Sequence, residues 1–139
     1  MSKAKEKNIL SNVEILDALK LCSPTFGTYL REIRRGKGKS IRELAKAVKI
    51  TPTYLSDLEK SNNKPPDKEL LEKIMKELGV MGSTELAHTL FDLAAEGRND
   101  IPADVKEYLK GNEALTRIIR AIKEAPNANQ ILLQITEKI

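Results

Sequence analysis

Two neighbouring segments in the middle of the chain mix apolar and polar positions at helical spacing, and each opens with a helix-starting signal. In the first, Ser40 is followed three residues later by Glu43, a capping box in which each residue satisfies an unpaired backbone amide of the other. In the second, Thr51 is the expected N-cap and Pro52 the first helical residue, where a missing N–H costs nothing. Because the two starts lie about eleven residues apart, we predict two short helices joined by a tight turn.

The second segment separates into an apolar side and a polar side when its residues are placed at roughly 100° intervals. Leu55 and Leu58 fall on one side, with Tyr54 and Glu59 at its edges. Ordinary surface helices also have a polar outer side, but a short, hydrogen-bonding one is typical of a helix that enters a DNA major groove. The polar side carries Thr53, Ser56, Asp57 and Lys60.

Apolar positions also recur at helical spacing near the start of the chain, between Asn8 and Lys20. Such a stripe has to pack on something, because it would otherwise remain in water. We therefore expect this segment either to support the central domain or to form part of a dimer contact. The apolar positions are Ile9, Leu10, Val13, Leu16 and Leu19.

The last third of the chain predicts three more short helices. A polar stretch after Gly97 indicates a boundary, and proline, glycine and asparagine signals then place helices over about 102–111 and 112–124, with a third helix after Pro126-Asn127. Helices this short and this one-sided are rarely stable alone, so we expect them to pack on the first domain or on a second copy of themselves.

Positive charge is concentrated on the central segment. Residues 31–64 carry ten basic and four acidic side chains, whereas residues 65–139 carry ten basic and thirteen acidic ones. A solvated surface would spread its charge more evenly, while a local positive field is expected where a protein contacts phosphates. The charge pattern therefore favours a DNA-binding unit.

Length and composition narrow the class of protein further. The 139 residues suffice for one core, or for a DNA-binding domain with a modest second element. Only 4% of the residues are aromatic, which disfavours the stacking platforms used on single-stranded RNA. The single cysteine, Cys22, fits a reducing cytoplasm and a buried structural thiol rather than a redox switch. With no signal peptide and no long apolar run, we expect a cytoplasmic protein without a membrane segment.

Enzymatic motifs are incomplete in this chain. Gly38-Lys39-Ser40 imitates the end of a phosphate-binding loop, but Ile33 occupies the position of the first glycine that such a loop requires. His88, the only histidine, has no second histidine, cysteine or serine elbow to work with. We therefore expect no enzymatic activity, no cofactor and no metal site.

Over about Phe26 to Val80 the sequence resembles the Cro/phage-repressor family of helix-turn-helix regulators, often called XRE-like. The motifs that carry the resemblance occur in family order and spacing: Phe-Gly-Thr-Tyr-Leu-Arg-Glu-Ile-Arg-Arg, Lys-Gly-Lys-Ser, Arg-Glu-Leu-Ala, Thr-Tyr-Leu-Ser-Asp-Leu-Glu and Leu-Leu-Glu-Lys-Ile-Met-Lys-Glu-Leu-Gly-Val. The sequence looks particularly close to the biofilm and sporulation repressors of spore-forming bacteria.

This resemblance implies an all-α fold: a five-helix lambda-repressor-like DNA-binding domain, with an added N-terminal helix and a C-terminal helical tail. The five helices are expected at about Pro24–Arg35, Ile41–Val48, Pro52–Lys60, Lys68–Leu78 and Thr84–Ala95. We assign residues 1–22 to the N-terminal extension, 23–96 to the DNA-binding domain and 97–139 to the C-terminal segment.

The resemblance also implies roles for individual residues. Arg34 and Glu59 match an arginine and a glutamate that pair inside the domain, so we expect a structural pair. The residues expected to face base edges are Pro52, Thr53, Ser56 and Asp57. The residues expected to contact the DNA backbone are Ser40, Tyr54, Lys60, Asn62, Asn63 and Lys64, together with Lys39 and Arg42 of the basic segment.

Two positions depart from the family pattern. Lys49 occupies the turn position that is usually glycine, so it would have to adopt a left-handed conformation. Ile41 replaces a glutamine that often grips phosphate, so that contact is expected to be absent.

Three hypotheses about function follow. The first is a sequence-specific regulator of double-stranded DNA, a repressor that binds an inverted repeat as a homodimer through its C-terminal helices. The second is an antitoxin whose residues 97–139 bind a partner protein. The third is an interaction module that has lost DNA binding, against which the intact basic segment argues.

Overall fold

The computed structural model describes residues 9–139, apart from the side chain of Thr84. Residues 1–8 of the predicted N-terminal extension lie outside the described residues. The described part is all-helical, which confirms the predicted fold class. Its helices are α1 (Asn12–Leu19), α2 (Phe26–Gly36), α3 (Ile41–Ala47), α4 (Pro52–Glu59), α5 (Lys68–Leu78), α6 (Thr84–Arg98), α7 (Ala103–Lys110), α8 (Glu113–Glu124) and α9 (Ala128–Glu137).

The chain divides into two units, the first ending at Ala103 and the second running from Asp104 to Ile139. The first unit is built around one hydrophobic core to which α1 through α6 all contribute. Leucine is its most common residue, and both phenylalanines of the chain, Phe26 and Phe91, are also buried in it. The largest fully buried side chains are Ile15, Leu30, Ile33, Leu44, Leu55, Leu58, Leu71, Ile74, Met75, Leu78, Leu86 and Leu90.

The N-terminal helix α1 packs on the C-terminal end of α2. Ser11 and Glu14 form a capping box that fixes where α1 begins, and Ile15 then lies directly against Gly36, where an added Cβ would be 2.9 Å from Ile15 Cγ1. This phase differs from the predicted stripe: Ile15, which the stripe omitted, is buried, while Ile9 and Val13 are 64% and 68% exposed. Leu10, Leu16 and Leu19 of the predicted stripe also pack against the core, so this segment supports the central domain through Ile15 and these three side chains.

The second helix starts two residues later than predicted, at Phe26. The reason is local, because the Thr25 hydroxyl accepts a hydrogen bond from the Thr28 amide at 3.2 Å and so makes Thr25 the N-cap. The predicted ends of α3 and α4 differ from the observed ones by one residue, and α5 has the predicted bounds.

The sixth helix runs past its predicted end at Ala95, so the boundary predicted at residue 97 lies inside α6. Its last turn is fixed from outside, because Arg98 Nη1 donates to the Pro65 carbonyl at 2.9 Å and Gly97 leaves room for the Pro65 ring. Asn99, at φ 56°, then ends the helix in the left-handed region that asparagine tolerates.

The three helices predicted for the last third of the chain all form. Asn112 caps α8 by accepting from the Leu115 amide at 3.0 Å, as expected from its position. Helices α8 and α9 pack against each other. None of the side chains of α7, α8 and α9 is buried, so these helices have apolar faces but no core of their own.

Candidate nucleic-acid interface

The two helices α3 and α4 are each started by a side-chain cap, as predicted. The Ser40 hydroxyl accepts from the Glu43 amide at 3.0 Å, and Glu43 Oε1 accepts from the Ser40 amide at 2.8 Å. The Thr51 hydroxyl accepts from the Tyr54 amide at 3.1 Å, with Pro52 at the first helical position. These caps fix the first residue of each helix and therefore the phase of its outer face.

The turn between α3 and α4 is a Schellman motif. The Ile50 amide donates to the Ala45 carbonyl at 2.9 Å, and the Lys49 amide donates to the Lys46 carbonyl at 3.2 Å. Lys49 has φ 62°, so it adopts the left-handed conformation predicted for the position that is usually glycine. The short turn sets the angle between the two helices despite the cost of that conformation.

The C-terminal end of α4 has the same geometry. The Asn62 amide donates to the Asp57 carbonyl at 2.9 Å, the Ser61 amide donates to the Leu58 carbonyl at 3.3 Å, and Ser61 has φ 61°. The loop that follows is exposed from Ser61 to Lys64 and then anchored by the buried Pro65. An exposed loop with a fixed end is thus placed directly after α4.

Arg34, in the last turn of α2, connects both helices of the pair to the rest of the domain. Its Nε and Nη2 donate to the two carboxylate oxygens of Glu59 at 2.6 and 3.0 Å, and both residues are buried. Its Nη1 donates to the Lys39 carbonyl at 2.9 Å, immediately before the cap of α3. One guanidinium therefore holds the end of α4 and the start of α3 together.

Gly27 allows α2 to approach α4 at a second point, two turns earlier. A Cβ at this position would lie 2.5 Å from the Leu58 carbonyl oxygen and 2.6 Å from that of Glu59. Only glycine permits this backbone-to-backbone contact. The position of α4 is therefore fixed by Gly27 and Arg34 on the same helix.

The outer face of α4 leaves the predicted base-facing residues accessible. Pro52 and Thr53 are exposed, and Ser56 and Asp57 are partly exposed, while the opposite side of the helix is buried through Leu55 and Leu58. The side chains of Thr53, Ser56 and Asp57 make no hydrogen bond or ion pair within residues 9–139, so their polar atoms are available to a base edge, whereas Pro52 offers only an apolar surface.

The predicted backbone contacts fall into three groups. Tyr54, Asn63 and Lys64 line one surface cleft of about 580 Å³, so the structure brings these three together. Lys39 is instead engaged within the protein, because its Nζ lies 3.5 Å from a carboxylate oxygen of Glu77. The remaining predicted residues are exposed: Ser40, Arg42, Lys60 and Asn62.

Two further cations on the same pair of elements were not among the predicted contacts. Lys46 lies four residues after Arg42 on α3, so both share one helix face, and both are exposed. Lys49 is exposed in the turn. Their charge was visible in the sequence, but their accessibility next to α4 follows from the fold.

One cysteine and one histidine occur among the residues described. No group of three or more His, Cys, Asp and Glu side chains there could hold a metal ion, and no described helix is long and apolar enough to cross a membrane. The half-buried Cys22 thiol donates to the Leu19 carbonyl at 3.3 Å, and burial is the main cause that raises its pKa above the usual value.

A capped helix pair with a tight turn, an accessible polar outer face and flanking cations defines a helix-turn-helix DNA-binding protein. The chain belongs to the helix-turn-helix family of DNA-binding transcriptional regulators. The Helix-turn-helix family profile matches residues 30–80, within the region of the resemblance. The chain is 32% identical over 90 residues to the HTH-type transcriptional regulator SinR of Bacillus subtilis (strain 168), an alignment that covers 65% of this chain and 77% of that relative. No solved structure gives a significant match.

Proposed function

We propose that this protein is a cytoplasmic repressor of transcription that binds an inverted repeat in double-stranded DNA as a homodimer. In this proposal the outer face of α4 reads base edges, and the exposed cations around it contact phosphates. One such helix reads too few base pairs for strong specificity, whereas two related by a two-fold axis read a half-site each.

The observation that carries the homodimer is the uncovered apolar surface of the second unit. Large apolar side chains on α8 and α9 are about half exposed, including Ile118 at 53% and Leu132 at 49%. A pair of short helices cannot bury enough surface by itself to be stable, and a second copy offers an identical apolar face. Self-association would cover both faces at once.

An exposed polar position on the same helices provides a matched control for a test of the homodimer. Leu132→Glu places a charge on the apolar face of α9, whereas Gln134→Glu adds the same charge at an exposed polar position two residues later. Sedimentation equilibrium of the full chain should give dimers for the wild type and Gln134→Glu, and monomers for Leu132→Glu. A wild type that is monomeric at concentrations where it saturates DNA would contradict the homodimer.

Footprinting on DNA tests the inverted repeat separately. The dimer should protect two half-sites whose centres lie about one helical turn apart, roughly 10 bp, or a multiple of that distance. Leu132→Glu should lose affinity for the two-site duplex, because its monomers must bind one half-site at a time. Full affinity of the wild type for a single half-site would overturn the inverted repeat.

A further inference from the structure

We infer that Asp57 determines specificity by requiring the amino group of a cytosine in each half-site. This inference rests on the proposed function, because it names the base that one residue of the recognition surface would read. It concerns a residue whose charge is opposite to that of the surface around it.

Asp57 is the one acidic residue on the outer face of α4, next to Ser56 and the exposed Lys60. Its backbone carbonyl accepts from the Asn62 amide at 2.9 Å, which fixes the position of the residue at the end of the helix. Its carboxylate is partly exposed, and none of the described ion pairs or side-chain hydrogen bonds involves it. The group is therefore held in place and has no partner among the residues that the structure describes.

Neither helix stability nor phosphate attraction explains a carboxylate at this position. Asp57 lies in the last turn of α4, where the negative end of the helix dipole disfavours an anion, and the nearby C-cap residue Lys60 forms no ion pair with it. A negative charge on a DNA-facing surface also repels phosphates. A favourable contact between the Asp57 carboxylate and a base in the protein–DNA complex would offset both unfavourable effects.

The chemistry of a carboxylate limits what it can bind in the major groove. It only accepts hydrogen bonds, and only the cytosine N4 and adenine N6 amino groups donate there. In adenine the neighbouring N7 is an acceptor that repels the carboxylate, whereas cytosine presents its amino group without N7. Guanine O6 and thymine O4 are acceptors and would be rejected.

The test is selection of binding sites from a random duplex library by the full-length wild type and by Asp57→Asn. The wild type should enrich one cytosine per half-site, and changing that C·G pair to T·A should weaken its binding about tenfold or more for each half-site. Asp57→Asn should lose less than about threefold for the same change, should shift its preference toward adenine, and should bind random DNA more tightly than the wild type.

Asp92→Asn is the matched control, because it removes the same charge from an exposed position on α6. It should select the same sequence as the wild type. Loss of folding would be seen in the thermal midpoint, which should not fall in Asp57→Asn because the substitution removes an anion from a helix C-terminus. If the wild type and Asp57→Asn select one sequence with equal penalties for the C·G to T·A change, Asp57 does not read cytosine. If the wild type enriches no sequence, the proposed function fails and this inference with it.

Discussion

Arg34 at the end of α2 and Glu59 at the end of α4 form a buried bidentate ion pair, with N···O distances of 2.6 and 3.0 Å. Counting charges alone would make Arg34 one more phosphate contact and Glu59 an unfavourable acid on a DNA-binding helix. The geometry gives both residues a structural role instead, because all three guanidinium nitrogens donate within the protein. Two of them donate to Glu59 and one donates to the Lys39 carbonyl. We interpret the pair as a clamp that positions the helix-turn-helix.

Breaking this ion pair should lower the free energy of unfolding, and any effect on DNA binding should follow from that loss of stability. Arg34→Ala and Glu59→Ala each leave a buried charge without its partner, which typically costs about 3–5 kcal/mol. The double mutant should lose less than the sum, because both substitutions remove one interaction. Urea unfolding at a fixed protein concentration measures all three values.

The exposed pair Lys39–Glu77, 3.5 Å apart, is the control for that cycle. Surface ion pairs contribute about 0–1 kcal/mol, so its coupling energy should be small. An Arg34→Ala variant of unchanged stability that only loses DNA binding would show that Arg34 is a phosphate contact and not a clamp.

Gly27→Ala should displace α4 as a whole. Its Cβ would lie 2.5 Å from the Leu58 carbonyl oxygen, a backbone atom that can move only with its helix, and overpacking of this kind typically costs about 1–3 kcal/mol. Gly82→Ala is the control, because nothing lies within 4 Å of a Cβ there. The thermal midpoint should fall for Gly27→Ala and stay within error for Gly82→Ala. Equal midpoints would mean that α2 and α4 are not in close backbone contact.

Replacing either left-handed residue, Lys49 or Ser61, with glycine should raise the free energy of unfolding. A non-glycine residue in this conformation costs about 1–2 kcal/mol, and the entropy of the glycine offsets about 0.5–1 kcal/mol, so a net gain of about 0.5–1 kcal/mol is expected. Lys46→Gly, in the helical part of α3, should instead destabilise by about 1 kcal/mol. Circular dichroism melts of the three variants decide the sign in each case.

The sequence was sufficient for features that rest on local signals. The capping box of Ser40 and Glu43, and Thr51 before Pro52, act within one turn of helix, so they predicted the starts of α3 and α4 without knowledge of the fold. The left-handed Lys49 was predictable because the family pattern identifies that position as a turn.

Features that depend on distant parts of the chain were less predictable. The hydrophobic stripe of α1 omitted Ile15, because its burial depends on packing against Gly36 on another helix. The ion pair of Lys39 with Glu77 joins residues 38 positions apart, so no local pattern could predict it. The pairing of Arg34 with Glu59 was expected from family resemblance and not from their spacing.

The central claim, that α4 reads bases while its cationic flanks contact phosphates, is tested most directly by measuring affinity for cognate and random duplexes over a range of salt concentrations. Lys60→Ala or Lys64→Ala should weaken both kinds of binding and make the salt slope shallower by about one unit for each phosphate that is no longer neutralised, counting both subunits. Thr53→Ala or Ser56→Ala should keep the slope and narrow the gap between cognate and random DNA by roughly 1–3 kcal/mol for each base pair read. Four variants that weaken binding to both duplexes equally and change the slope equally would contradict the claim.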